Sequence, residues 1–406
     1  MNEGHPAATA RQRRGAVSLL LAMVLLGVFP LDVLLPSFPA LAEHFRSPPA
    51  DIALSISLFA VGIAASQLLI GPLSDVIGRK GLLLAGITVS MLGAVGCVLT
   101  TDYVHFLLLR VVQAFGCGCF VLSQALIQDL FGGEERDRLR ILMVTATGIF
   151  ISVSPLAGAF LQATLGWQGS FWVFTALAGV VLLKAWLFLD NTRPPATRPR
   201  PNILQSYRRV LQDADFLPYW LISGFAFACH FSFIVISPLI FMDQLQLSAH
   251  DYALILLVYG GAYIVGGMAA VMLGQHISPR HQIISGLSLI LVSGLIMLYL
   301  SKHVALSPVT VLVPMLICTA GTTIVRPAAT SKAMSLFPEN SGTSASAGST
   351  VIFICGGLIS ALISLGPGNL QSTLGYSFVI LSSVALVLNR RINQRAKSPK
   401  ANPGIE

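Results

Sequence analysis

Residues 15–35 read GAVSLLLAMVLLGVFPLDVLL, and Asp32 is the one charge among them. A run of about 20 apolar residues is what an α-helix needs to cross the hydrocarbon of a bilayer. An ionised side chain at that depth costs about 2.5–3.5 kcal/mol or more, so an acid inside a span is a functional site by default, often a proton relay. On the spans assigned below, the other sixteen of the seventeen acidic residues fall in loops, at helix ends or in tails. Arg11, Arg13 and Arg14 precede the run, and Ala40-Leu-Ala42 imitates a cleavage site. The run is nevertheless longer than a signal-peptide core of roughly 7–15 residues, and it contains Asp32, so it reads as a retained first helix.

The rest of the chain repeats this character. It is 406 residues long, 54% hydrophobic and only 10% charged, where soluble domains are about 25% charged. The expected fold class is an all-α polytopic membrane protein. Runs of spanning length fall at about 15–36, 51–71, 81–100, 104–128, 139–165 and 168–189, and again at 218–241, 250–273, 282–301, 307–329, 341–365 and 370–389. These twelve divide the chain into a tail (1–14), a six-helix bundle (15–190), a linker (191–216), a second six-helix bundle (217–390) and a second tail (391–406). The linker interleaves Pro194, Pro195, Pro199 and Pro201 with Arg193, Arg198 and Arg200, a composition that resists regular structure. Within it, 203–211 reads either as a short interfacial helix with Tyr207, Arg208 and Arg209 at the headgroups or as solvated linker.

Basic residues set the orientation. With the N-terminus in the cytoplasm, 21 of the 25 lysines and arginines fall on that side, Arg326 among them; Arg46 and Lys302 face outward, and Arg110 and Lys184 lie within spans. Both termini are expected to be cytoplasmic. The net charge of +8 thus has a use in topology, and nucleic-acid binding is set aside. All six cysteines lie in apolar spans without metal-site spacing, so they read as packing residues. The two halves echo one another: Asp51-Ile-Ala-Leu opens the second span and Asp251-Tyr-Ala-Leu the eighth, each Asp suiting a helix N-cap. Internal repeats of this kind mark transporters.

The stretch after the second span reads Gly71-Pro-Leu-Ser-Asp-Val-Ile-Gly-Arg-Lys80, with the glycines and proline of a tight reversal. It closely resembles the signature loop G-x-L-(S/A)-D-x-x-G-R-(K/R) of the major facilitator superfamily. By that resemblance Asp75 and Arg79 form a gating latch, with Asp129 at the end of the fourth span as the acid that Arg79 reaches. In the fourth span Arg110 and Gln113 are three apart and share a helix face. This run resembles the proton-antiporter motif R-x-x-Q-G-x-G, with Ala114 in place of the first glycine, and the resemblance gives Arg110 a part in proton transfer. Snorkelling to the outer interface is the other reading of Arg110.

In the fifth span Gly148, Pro155 and Gly158 resemble the exporter signature G-x-x-x-G-P-x-x-G-G; Ser154 and Ala159 replace two of its glycines, and Gly148 lies two residues before the first, where Phe150 stands. Leu31-Asp-Val-Leu-Leu-Pro36 followed by Pro39 is similar to the first-helix D-x-x-L-P-x-x-P pattern of the Bcr/CflA group of drug:proton antiporters, as is Gly342-Thr-Ser-Ala-Ser-Ala347 at the start of the eleventh span. His230 is the only histidine away from the ends of a span, either a titrating group or a hydrogen-bonded bundle residue. Phe227 and Phe231, and Tyr259 and Tyr263, are pairs four apart that read as pocket lining or as core. Lys184 near the end of the sixth span reads as snorkelling.

These residues point to a secondary transporter of a bacterial inner membrane, with two bundles alternating access about a central site. It exports small amphipathic drugs or toxic compounds against protons, with Asp32 and Arg110 in proton coupling and Gln113, Phe227, His230, Phe231, Tyr259 and Tyr263 as candidate substrate contacts. Its expected partners are the substrate, protons and the lipid bilayer; a monomer suffices, and no cofactor or metal is expected. An exporter of one metabolite, such as an amino acid or metallophore, or a nutrient importer, is the alternative. No nucleotide-binding loop is present, so ATP is not the expected energy source, and neither H-E-x-x-H nor G-x-S-x-G occurs to support an enzyme.

Overall fold

The computed structural model describes residues 10–131, 133–189, 203–337, 341–366 and 369–397, which are helical and contain no strand. The first six crossings are built from α1 (Ala10–Asp32) continued by α2 (Phe38–Phe45), α3 (Pro49–Ile77), α4 (Arg79–Leu99), α5 (Tyr103–Cys117) continued by α6 (Leu122–Leu130), α7 (Gly133–Leu165) and α8 (Gln168–Phe188). A short helix, α9 (Ile203–Leu211), precedes the second six: α10 (Phe216–Pro238), α11 (Ala249–His276), α12 (Pro279–His303), α13 (Pro308–Ser335), α14 (Ser341–Ser364) and α15 (Leu370–Lys397). Eleven of the crossings are long and apolar enough to span a bilayer, and the apolar part of α7 is the shorter segment Ile149–Leu165. With twelve crossings both ends of the chain emerge on one face, called here the termini face.

Several boundaries depart from the sequence reading. The stretch 71–80 is a helix–helix corner rather than a loop: α3 runs to Ile77, α4 begins at Arg79, and the reversal is concentrated on Gly78, with φ 94° and ψ 152°. A side chain would be strained at that φ, so glycine permits the one-residue turn. The first crossing is broken near its middle: α1 ends at Asp32, and a 3₁₀ turn over Leu35–Ser37 leads into α2. Pro36 and Pro39 lack the N–H that would continue the ladder. The fourth crossing tightens to 3₁₀ at Gly118–Val121, and the seventh ends in a π-turn at Leu239–Gln244. Neither Asp51 nor Asp251 is an N-cap. Pro48 and Ser248 hold those positions and each Asp lies in the first turn, the Ser248 Oγ accepting from the Asp251 N–H at 3.1 Å. A carboxylate suits that place because it faces the positive end of the helix dipole.

The two six-helix bundles meet along two seams, α3 against α14 and α7 against α11. Lipid offers no hydrophobic drive between helices, so such seams depend on close packing and interhelical hydrogen bonds, averaging about 0.6 kcal/mol each. Toward the far face, Ser57 and Ser360 share a hydrogen bond at 2.8 Å. Toward the termini face, Thr350 donates to the Ala64 carbonyl (3.3 Å), Ser346 to the Gln67 carbonyl (2.7 Å) and Ser349 to Gln67 Oε1 (2.5 Å). The helical reading of 203–211 holds, but Tyr207 does not lie at the headgroups. It is buried, with its hydroxyl 3.1 Å from the Leu68 carbonyl and 3.0 Å from Ser346 Oγ, while Arg208 and Arg209 are exposed. With Val210, Phe216, Trp220, Ala333, Ala347 and Ile352 it forms a separate apolar cluster at the termini end of the seam. At the far end, Asp102 caps α5; the His105 N–H at 2.9 Å and its ring at 2.7 Å hold this carboxyl below its ordinary value.

Candidate functional site: a mid-membrane acid between two bundles

Asp32 is buried, 7% exposed, at the point where the first crossing unwinds. The crossing covers 31 residues, Gly15–Phe45, so Asp32 lies near its midpoint. The break places Asp32 at a junction. The 3₁₀ turn after it packs on α7 of its own bundle and on α10 and α11 of the other. On α7, Gly158 meets the Val33 carbonyl so closely that an added Cβ would collide with it. Glycine here allows the α7 backbone to lie directly against the segment that carries the acid. Across the junction, Asp32 is within electrostatic reach of Tyr252 and Tyr259 on α11.

Arg110 is not the partner of Asp32 in this conformation. Its side chain is 1% exposed; Nη1 donates to Gln113 Oε1 at 2.7 Å and Nη2 to the Pro30 carbonyl at 3.1 Å. The last carbonyls of a helix have no intrahelical donor, and Pro30 lies in the final turn of α1, so the guanidinium satisfies an acceptor released by the helix break. The guanidinium carbon also lies 4.1 Å from the centroid of the Phe59 ring and 5.7 Å from that of Phe171, within cation–π range. Arg110 and Gln113, with Pro30, Val33, Leu34, Ser170, Phe171 and Phe174, line a small cavity behind Asp32. Snorkelling is excluded by this inward set of contacts.

The tentative contacts of the second bundle come together as one cluster. His230 Nδ1 and the Tyr259 hydroxyl are hydrogen-bonded, and their rings stack 5.5 Å apart at 19°. Tyr263 lies 5.4 Å from His230 on its other flank. Phe227 and Phe231 stack at 5.2 Å, and Phe353 of α14 meets Phe227 edge-on at 5.5 Å. The hydrogen-bonded Tyr259–His230 pair is the polar part of this cluster.

Arg326 belongs to this cluster and not to the cytoplasmic side, where the sequence reading put it. The helix does not end near 329 but continues to Ser335, which sets Arg326 nine residues back, about 13.5 Å at 1.5 Å per residue. Its guanidinium carbon lies 4.8 Å from the centroid of the Phe227 ring and acts electrostatically on His230. The signal was an arginine inside an apolar run, but it stood within three residues of the expected end of the span at 329. Lys184 hydrogen-bonds the Ser18 hydroxyl.

Arg79 opens α4 half-buried. Asp75 lies on the last turn of α3 and Asp129 on that of α6, but their side chains fall outside the described residues, as does the detail of Gly148. Pro155 lies inside α7, one turn before Gly158.

The profile of the Major Facilitator Superfamily matches residues 18–388. The chain is 26% identical over 359 residues to "Multidrug resistance protein MdtL" of Escherichia fergusonii, covering 86% of this chain and 89% of that protein. It is 27% identical over 275 residues to YdgK of Bacillus subtilis, described as an uncharacterized MFS-type transporter, covering 65% of this chain and 68% of that one. Among solved structures, a bacterial homolog of the human lysosomal transporter Spinster, inward-facing and unoccupied, superposes with TM-score 0.74 at 14% identity over 97% of this chain and 100% of that one. A D-xylose-proton symporter gives 0.73 at 16% identity, over 93% and 97%. The match of the profile from the first crossing to the last, over a fold of two six-helix bundles, means that this chain belongs to the major facilitator superfamily of membrane transporters.

Proposed function

We propose that this transporter is a proton-coupled antiporter exporting small amphipathic compounds across a bacterial inner membrane. The observation that carries the reading is the position of Asp32. Among the described residues it is the one acid of the spans that lies away from their ends, set where a helix unwinds at the junction of both bundles. A group there changes its charge at the place where the bundles must move past one another. Residues 15–190 and 217–390 act as the two moving bundles. Most basic residues lie on the termini face, which supports a cytoplasmic location for both ends.

A proton entering from outside neutralises Asp32 and favours release of cargo; its loss to the cytoplasm restores a charged, hydrogen-bonding group. Arg110 shapes this site through Pro30, and the Tyr259–His230 pair carries the change of charge into the second bundle. Asp75, Arg79 and Asp129 act as the latch of the cytoplasmic face. The name borne by the Escherichia fergusonii relative supports cargo of the drug class. Each proton moved inward down 100 mV supplies about 2.3 kcal/mol to the exchange.

The test is gradient-driven extrusion by protein reconstituted in vesicles, paired with a susceptibility panel in an exporter-deficient bacterium with and without a protonophore. Asp32→Asn is expected to abolish the response to an imposed pH gradient while leaving the protein folded. Persistence of coupling in Asp32→Asn would remove Asp32 as the proton carrier, and resistance unaffected by the protonophore would remove the energy source.

A further inference from the structure

Among the described residues, no acceptor meets the guanidinium of Arg326. Among the described residues of the spans the positive groups are Arg110, Lys184 and Arg326. Arg110 uses two donors on Gln113 and Pro30, and Lys184 donates to Ser18. No hydrogen bond or ion pair to Arg326 forms among the described residues; its Nε is buried without a partner, and its contact is the face of Phe227. Arg326 is partly buried, and a guanidinium N–H buried inside a span without an acceptor is costly.

Its direction excludes a simple anchor at the headgroups. Side chains on a helix lean toward the helix N-terminus, and α13 begins at Pro308 on the far face. Arg326 therefore leans away from the nearer membrane surface, toward Phe227 and His230. Those residues lie 11 and 14 positions into α10 from Phe216, about 16 and 21 Å deep at 1.5 Å per residue. Phe227, the ring it lies over, is stacked on Phe231 and met edge-on by Phe353, and Tyr263 lies beside His230. Arg110 and Arg326 together outnumber Asp32, the one acid away from the ends of the spans, so among the described residues the interior has a surplus positive charge.

We infer that Arg326 with Phe227, His230 and Tyr263 is a subsite for the acidic group of a planar, amphipathic cargo. The carboxylate of the cargo takes the open donors of the guanidinium, which can bind it in bidentate fashion, and the attached ring system packs on the aromatic faces. This rests on the reading of the chain as an exporter of small amphipathic compounds and narrows it to carboxylate-bearing ones, against lipophilic cations.

The experiment measures equilibrium binding to the full chain in nanodiscs of zwitterionic lipid, without any gradient. The probes share one ring: anthracene-9-carboxylate, its neutral carboxamide and the cationic 9-aminomethyl analogue, followed by fluorescence anisotropy. The wild type is expected to bind the carboxylate at least about tenfold tighter than the carboxamide, as a hydrogen-bonded charge pair requires. Arg326→Gln is expected to bring that ratio to near one while carboxamide binding persists, and Arg326→Lys to retain part of the preference. An unchanged ratio in Arg326→Gln overturns the assignment. So does a wild type that prefers the cationic or neutral probe, a result that stands whether or not the variants fold. Because no gradient is applied, this outcome is independent of Asp32→Asn. Loss of proton coupling with carboxylate preference intact separates the two conclusions, as does the reverse.

Discussion

The guanidinium of Arg110 joins two helices through acceptors of different kinds, a side-chain amide on its own helix and a main-chain carbonyl on α1. A lysine in its place has one compact ammonium and no planar fork to span both. Gln113→Leu removes the first acceptor and leaves a buried charged N–H without a partner. It is expected to lower stability by about 1.5–3 kcal/mol, read as a shift of the thermal unfolding midpoint in detergent, and to weaken transport through the loosened Pro30 contact. The pairing of Arg110 with Gln113 was legible in the sequence, because residues three apart share a helix face. The Pro30 carbonyl was not, since its availability depends on where α1 breaks. Arg326 was misplaced for a related reason: the span was read as ending near 329, and the packed helix continues to Ser335.

Three crossings of this chain are not uniform α-helices, and the break in the first one bears on function. Pro36 and Pro39 follow Asp32 in the sequence, so an interruption was readable there; that α7 would press its backbone against the interruption through Gly158 was not. Gly158→Val forces a side chain into the Val33 carbonyl. Overpacking of this kind costs about 1–3 kcal/mol. Gly158→Val is expected to reach the membrane in reduced amount and to lose transport by more than its loss of protein, measured as transport rate per folded molecule. Equal losses would mean that the close approach matters for folding alone. The linker helix shows the opposite limit of sequence reading. Its amphipathic character was visible, but the burial of Tyr207 against Leu68 and Ser346 depends on residues more than a hundred positions away.

At the scale of the whole molecule, alternating access requires each seam to part at one end while the other stays closed. Ser57 and Ser360 mark the far end of one seam. A Ser57→Cys/Ser360→Cys double variant, oxidised, is expected to stop transport, with recovery on reduction; each single variant is expected to transport normally. The native thiols interfere little, since five of the six are buried and Cys355 is partly so. Transport that survives verified cross-linking would mean that the far end of this seam need not open. The twelve crossings and the two bundles were legible from hydropathy, because lipid imposes length and composition on every span. Which helices form the seams was not, because pairings between distant spans leave no local pattern.

Those seams carry one further consequence. The second crossing pairs with the eleventh and the eighth with the fifth, and adding six to two and to five gives eight and eleven. Each seam is therefore the other with the two bundles exchanged, which is the arrangement of an isologous contact, where the same patch is used by both partners. In the pairing of its crossings the molecule is arranged as a dimer of six-helix units joined in one chain. Exchange of the bundles does not reproduce their charges: the first crossing carries the acid Asp32 and the tenth the cation Arg326.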